Sequence, residues 1–476
     1  MKNIIVILTD TFRYDNLGDR AVRPVQTPEL DRFATERATS VEHFYMNSFP
    51  TIPHRTDFAT GVLGWPHYGW QSIDLSSPNH ISRILSQQGF ATQLICDCPH
   101  LFSARFNRGF DAAFQHRGQE GDLPRLHLND KIQEIVPLQK TRSHPNFNGH
   151  TLPNKHRWTN RYYELEIQTF SAKTSETTVQ FLEENNQHNP FFLWVDFFDP
   201  HEPWDPPEYM VRRYDPHYDG PPMLHPNYGH SSSYTEAELR NLWAHYAAEA
   251  ELVDRHIGRV LQKIDDLQLW ENSVVVVMAD HGISIGEHYR TGKSNIDPND
   301  KRFWPIYPEI GHVPFLIAGA GIPKNKSLDL IAQPIDLLPT LCDLAGVTPV
   351  LPQEIDGISF ANQIRNSLHQ HRDMAISGCH IKSSSVKPER ATTPFLITKE
   401  WGYAPVGEMG TPELYDLKND PLATDNVAPN GLEIISELHQ LFLDHLANHN
   451  APTDFINLWK LNDQASNGSW ATDYED

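Results

Sequence analysis

Two short strings of this 476-residue chain hold side chains that can bind a metal: Leu8-Thr-Asp10 and Met278-Ala-Asp280-His281. Two carboxylates and an imidazole suit one divalent cation that takes oxygen and nitrogen ligands, Zn, Mn, Ca or Mg. Each acid closes an apolar run, residues 4–8 and 273–278. A turn-capping Asp accounts for either string alone. Their pairing at two run ends adds weight to the ion. A third string, Pro50-Thr-Ile-Pro-His-Arg55, can place the Thr51 hydroxyl at the amino end of a helix, where free N–H groups attract an anion. A metal-bound hydroxyl there can attack a tetrahedral centre. Arg55 can then neutralise the oxygens that gain charge. Pattern alone equally allows Thr51 as a helix cap and Arg55 as a surface side chain.

These residues need a frame. Apolar runs at 4–8, 91–95, 191–197, 273–278 and 315–318 read as buried parallel strands. Helical patterns lie between them at 76–88, 175–185 and 235–269, with another at 336–345. The alternation predicts an α/β fold with the ligand site beyond the carboxyl ends of the strands. Residues 199–234 carry Pro, His, Tyr and Trp204 without periodicity, and read as an ordered, aromatic-lined loop at a substrate mouth. A boundary near 360 divides a catalytic domain, 1–360, from a smaller α+β subdomain, 361–476. That subdomain would hold strands at 392–399 and 412–416, a helix at 432–446 and a loose polar tail from 452.

The formal charge is -22 and no basic run occurs, which argues against a nucleic-acid partner. Four cysteines are too few for a disulfide framework. No apolar stretch approaches the length of a membrane span, and the first strand is too short for a signal peptide. The expectation is a cytoplasmic protein acting on a small anionic ester. The oligomeric state stays open, a homo-oligomer included.

The chain resembles the sulfatase branch of the alkaline phosphatase superfamily. The matching strings run from Ile4-Ile-Val-Ile-Leu-Thr-Asp10 and Thr51-Ile-Pro-His-Arg55 to Asp199-Pro-His-Glu-Pro-Trp204. They continue with Asp280-His-Gly282, Lys293, Val313-Pro314 and Glu413-Leu-Tyr-Asp-Leu417, in the family's order. The resemblance implies an alkaline-phosphatase-like, largely parallel mixed sheet flanked by helices. It implies that Asp10, Asp280, His281 and Thr51 share one metal. His281 in place of the Asn common in calcium-type members favours Mn or Zn over Ca or Mg. Thr9 would stand where the family has the first of two acids, so one carboxylate is missing.

It further implies that Arg55 holds the nucleophile region, that Lys293 contacts the transferred group and that His201 protonates the leaving oxygen. His100 fits a substrate-binding histidine whose companion lysine is absent, with Asp97 or Cys98 nearby. His67 reads as another pocket residue. His312 reads as a contact to the leaving group, or, with Asp199 and His201, to a second metal.

Thr51 departs from the family, which has Cys or Ser there for oxidation to formylglycine. The β-carbon of threonine carries one hydrogen and a methyl, so it yields no aldehyde. No formylglycine forms at this position. The reading is a metal-dependent hydrolase that cleaves phosphodiesters or phosphonate monoesters through direct attack by Thr51. The alternatives are a sulfuric ester hydrolase without formylglycine, and a degenerate homologue that binds an anion.

Overall fold

The structure, a computed structural model, describes residues 1–20, 23–73, 79–137, 140–141, 145–146, 149–297, 300–351, 353–380 and 392–459. An eight-stranded sheet forms the centre. In chain order its strands are β1 (Asn3–Thr9), β2 (Thr39–Phe44), β3 (Ala91–Cys96), β4 (Ala112–Gln115), β5 (Phe191–Phe197), β6 (Ser273–Ala279), β7 (Phe315–Gly319) and β8 (Lys326–Ala332). Across the sheet they lie β8-β2-β7-β6-β1-β5-β3-β4. The run at 315–318 is a strand, but not a parallel one: β7 pairs antiparallel with both β6 and β2. The other pairings of this sheet are parallel. An apolar run shows that a strand is buried but not its direction, because both faces are covered either way.

Strands β1, β5 and β6 are buried along their whole length. Their runs of Ile, Val, Leu and Phe fill a core that flanking helices close. The string Thr51-Ile-Pro-His-Arg55 opens α1 (Thr51–Thr60), every residue of which is buried. Helix α2 (Phe170–Asn185) packs on α3 (Glu236–Asp266). The 31-residue α3 opens with a capping box, Glu238 N donating to Thr235 Oγ1 at 3.2 Å and Thr235 N to Glu238 Oε2 at 2.7 Å. Helix α4 (Leu337–Ala345) ends at Gly346 with φ 73°. The 76–88 expectation begins outside the described residues; the helix there is Ile81–Gln87.

The smaller sheet is antiparallel: β9 (Met374–Ser377), β10 (Phe395–Thr398), β11 (Trp401–Ala404) and β12 (Glu413–Asp416). Helices α5 (Leu432–Asn448) and α6 (Thr453–Leu458) follow. The start of the expected loose tail is packed instead. Phe455 and Trp459 are buried in one cluster with Phe442, Leu63 and Trp65. Residues 460–476 lie outside the described residues. The segment before α1 is sewn to the small sheet, with Phe49 N donating to Gly378 O and Gly378 N to Asn47 O, both at 2.8 Å. No helix among the described residues is long and apolar enough to cross a membrane.

Candidate active site

Strands β1 and β6 run side by side in register, Thr9 opposite Ala279. Their next residues, Asp10 and Asp280, therefore stand together beyond the carboxyl ends. Asp280 N donates to Thr9 O at 3.1 Å, and Asp10 N to Phe197 O of β5 at 3.0 Å. With His281 these acids present ligand atoms within 4.8 Å of one another, all fully buried. His281 Nδ1 lies 3.0 Å from Gly282 O, so Nδ1 carries the proton and Nε2 a lone pair. Among the described residues that Nε2 has no hydrogen-bond partner. It faces Asp10 Oδ1 at 3.8 Å and Asp280 Oδ2 at 3.7 Å.

A lone pair turned toward two buried carboxylates is repulsive unless a cation lies between them. Without one, burial and the charge of Asp10 push the Asp280 carboxyl well above its ordinary range. Burial pushes the His281 imidazole down to about 3, in the neutral form a metal needs. These three residues fit a divalent ion.

Arg55, fully buried on α1, is saturated by acids. Nε and Nη2 each donate to Asp196 at 2.9 Å, in a two-pronged pair. Nη1 donates to Asp280 Oδ2 at 2.6 Å and to Thr51 O at 3.0 Å, and Nη2 also to Asp10 Oδ2 at 3.3 Å. Its expected contact with the ester oxygens is not available, since these carboxylates already occupy the guanidinium. The arginine instead ties the first turn of α1 to the ends of β1, β5 and β6. Three carboxylates against one guanidinium leave two negative charges over, which a divalent cation offsets.

Sequence reading missed Asp196. The signal was there, an acid inside the apolar string Phe-Phe-Leu-Trp-Val-Asp-Phe of β5. Trp194 Nε1 also donates to it, at 2.9 Å.

Thr51 is the first residue of α1, with no side-chain cap bond there. It lines a cavity of about 230 Å³ with His201, Lys293, His100, Glu120, Tyr228 and Trp70. Lys293 Nζ donates to Thr11 Oγ1 at 2.7 Å and sits 3.4 Å from Glu202 Oε2 and 3.9 Å from Asp10 Oδ1. His201 Nδ1 donates to Glu202 O at 2.6 Å, leaving Nε2 for chemistry. Burial pushes the His201 pKa down, partly offset by Glu202. Glu202 also accepts from the Tyr228 hydroxyl. Against the penalty of burial, His201 and Lys293 hold its carboxyl well below its ordinary range.

Of the two threonines flanking Asp10, Thr11 faces the acids and Thr9 does not. Thr9 Oγ1 donates to Met278 O within the sheet at 3.3 Å. Thr11 Oγ1 donates to Asp10 Oδ1 at 2.8 Å, and Thr11 N to Asp280 Oδ1 at 3.0 Å. Its φ of 65° is strained for a β-branched residue, at a cost of about 1–3 kcal/mol.

Three expected substrate residues lie elsewhere. His67 is exposed, with Nε2 3.0 Å from His449 O beyond α5. Trp204 is fully buried, donating to Pro200 O at 2.7 Å and packing on Tyr246 of α3, because the 199–234 segment folds down on that helix. His312 stacks 3.6 Å from Tyr14 and bonds Glu42 O at 2.7 Å. It forms no ion site with Asp199, which accepts from Gln119 at 2.6 Å and Ser171 at 2.5 Å. The Asp10, Asp280 and His281 group is the one such cluster among the described residues. Asp97 and Cys98 do not stand in for the absent lysine. Asp97 caps Phe198 N at 2.6 Å, and the buried Cys98 thiol is pushed up. His100 does line the cavity, paired to Glu120 at 2.7 Å.

A sulfatase family model matches residues 2–347. This chain belongs to the sulfatase family. It is 24% identical over 480 residues to an arylsulfatase of Clostridium perfringens, covering 93% of this chain and 92% of that protein. A Delta 4,5-hexuronate-2-O-sulfatase of Bacteroides thetaiotaomicron is 32% identical over 222 residues, 45% of this chain and 43% of that one. The crystal structure of a phosphonate monoester hydrolase of Agrobacterium radiobacter superposes with a TM-score of 0.70 at 19% identity, covering 94% of this chain and 96% of that one. The alkaline-phosphatase-like α/β architecture is thus shared with sulfatases and phosphonate monoester hydrolases. Members of the sulfatase family bind a divalent metal, and the buried Asp-Asp-His group can hold one.

Proposed function

We propose that this sulfatase-family hydrolase is metal-dependent and cleaves phosphate esters, phosphodiesters or phosphonate monoesters, with Thr51 as direct nucleophile. The observation that carries the reading is Thr51 itself. Its hydroxyl opens a buried helix, shares a cavity with His201 and Lys293, and cannot become formylglycine. A divalent ion held by Asp10, Asp280 and His281 would polarise the ester and favour the Thr51 alkoxide.

The chain's own residues supply the rest. Thr51 Oγ bonds to phosphorus and releases its proton to water in the cavity. The bond from phosphorus to the alcohol oxygen breaks, and protonated His201 Nε2 gives that oxygen its proton. Lys293, fixed by Thr11 and Glu202, holds positive charge at the cavity wall for the transferring group. Water then attacks phosphorus, the bond from phosphorus to Thr51 Oγ breaks, His201 takes up the water proton, and water in the cavity returns to Thr51 Oγ the proton it gave up in the first step. A phosphothreonine suits this in-line second step. A sulfated threonine lacks the second hydroxyl through which a formylglycine hydrate expels sulfate.

Sulfuric ester hydrolysis is the second reading, favoured by the arylsulfatase relatives that span nearly the whole chain. The test is turnover of 4-nitrophenyl phosphodiester, phosphonate monoester, phosphate and sulfate by Mn- and Zn-loaded protein. Phosphorus esters should react and leave phosphate on Thr51. Cleavage of the sulfate ester alone overturns the proposal.

A further inference from the structure

Given the hydrolase reading above, we propose that Glu120 selects the alcohol half of the substrate: one whose groups near the ester donate hydrogen bonds, hydroxyl or ammonium, and not one carrying a carboxylate.

Glu120 lines the same cavity as Thr51, His201 and Lys293. His100 Nε2 sits 2.7 Å from its Oε2. No hydrogen bond reaches Oε1 among the described residues, and the side chain keeps 14% of its surface open. One carboxylate oxygen is therefore left to accept from a ligand. Burial works against this charge, yet the bond from His100 and that ring's charge hold the carboxyl at about 2. It is an anion at any working pH.

His100 pairs with one oxygen of this carboxylate and leaves the other without a cation of its own among the described residues. Lys293 is the only Lys or Arg that lines the cavity among the described residues, and Glu202 and Thr11 hold it. Arg55 is spent on three aspartates. A carboxylate on the alcohol would face Oε1 of Glu120, the oxygen His100 does not bond, while a hydroxyl or ammonium would donate to it.

The position is built rather than incidental. Glu120 takes φ 50°, ψ 27°, between Gly118 at φ 131° and Gly121 at φ 75°. A non-glycine residue in that region is uncommon. Trp70, 45% exposed, meets His100 edge-on at 4.9 Å and offers a flat apolar face beside the carboxylate. Such a face suits the C–H side of a polyol or an ammonium group.

The experiment compares kcat/KM for the methyl phosphodiesters of glycerol, ethanolamine and glycerate. Glycerol and glycerate differ mainly in hydroxymethyl against carboxylate. Native protein should favour at least one donor ester over the glycerate ester by about 10-fold or more. Which donor ester leads tells hydroxyl from ammonium. Glu120→Gln should bring that ratio close to one, and Glu120→Lys should reverse it. The ratio within each variant is the readout, so a general loss of folded protein does not alter it.

Equal native rates, or a ratio untouched in Glu120→Gln, overturn the inference. So does native protein that cleaves 4-nitrophenyl phosphoesters but none of these three esters, and the hydrolase reading then survives. If no phosphoester reacts, that reading fails by itself. Selectivity is then read from protection against thermal unfolding by glycerol phosphate, phosphoethanolamine and phosphoglycerate. Equal protection by the three again overturns the role of Glu120.

Discussion

Thr51→Val separates chemistry from stability more cleanly than any other change. Valine keeps the branched shape of threonine and removes only the hydroxyl. Among the described residues that hydroxyl takes no hydrogen bond, and Thr51 is the first residue inside α1, not its cap. Folding should therefore change by no more than about 1 kcal/mol. Turnover has no such tolerance. Loss of a nucleophile leaves only positioning and electrostatics, so kcat should fall about 10⁴-fold or more, at least about 5 kcal/mol of barrier. Thr51→Ser should restore a hydroxyl and much of the rate. The assay is single turnover of a 4-nitrophenyl phosphoester by metal-loaded protein, with acid quench and mass analysis of the Thr51 peptide. Thermal unfolding of the same samples supplies the control. If Thr51→Val keeps more than about a tenth of the native rate, or phosphate is trapped on another side chain, direct attack by Thr51 is wrong.

His201→Ala should slow alkyl esters by about 10²–10⁴-fold and 4-nitrophenyl esters far less, since nitrophenolate leaves without a proton; equal losses remove the acid role. Added Mn or Zn should raise the unfolding temperature, by about 2.7 kcal/mol of stability at one hundred times Kd. Asp280→Asn should lose both this shift and the metal measured by elemental analysis. Asp336 is buried under Arg372 and His371, which hold its carboxyl down at about 2 despite burial. A depressed carboxyl stabilises the fold above its unfolded pKa near 4 and loses that contribution as pH falls through 2. Native protein should lose about 2 kcal/mol across that window. Asp336→Asn should cost about 3–5 kcal/mol at neutral pH, and the gap should narrow in acid; denaturant melts at several pH values check both.

Much of the frame was legible because its signals are local. The strings Ile4-Ile-Val-Ile-Leu and Val274-Val-Val-Val announce buried strands, and acids at their ends announce the metal group. Direction was not legible for β7, whose five residues pack the same way in either sense. Strands β2 and β8 were missed because their alternating polar residues lack an apolar run. Histidines misled most. His67, His312 and the fully partnered Asp199 have the right chemistry in the wrong place, and only their folded partners, His449, Tyr14 with Glu42, and Gln119 with Ser171, reveal it. Asp196 and Glu202 were overlooked because they bind other side chains rather than an ion. Nothing near Glu120 in the sequence marks it, since a turn with three positive φ angles brings it to the cavity.

Helix α1 stands between the two sheets. Ile52, Phe58 and Ala59 belong to the core of the large sheet, while Phe49 before it and Trp65 after it belong to clusters shared with β9, β10, α5 and α6. Thr51, the proposed nucleophile, thus rides on a keystone, not on a flap. Swinging one sheet away from the other would break that shared core, so the enzyme has no inexpensive clam-shell motion. Entry and exit must fall to the turns carrying Trp70 and Glu120. A chain cut before β9 would lose the packing that holds Thr51 in place, even with Asp10, Asp280 and His281 intact.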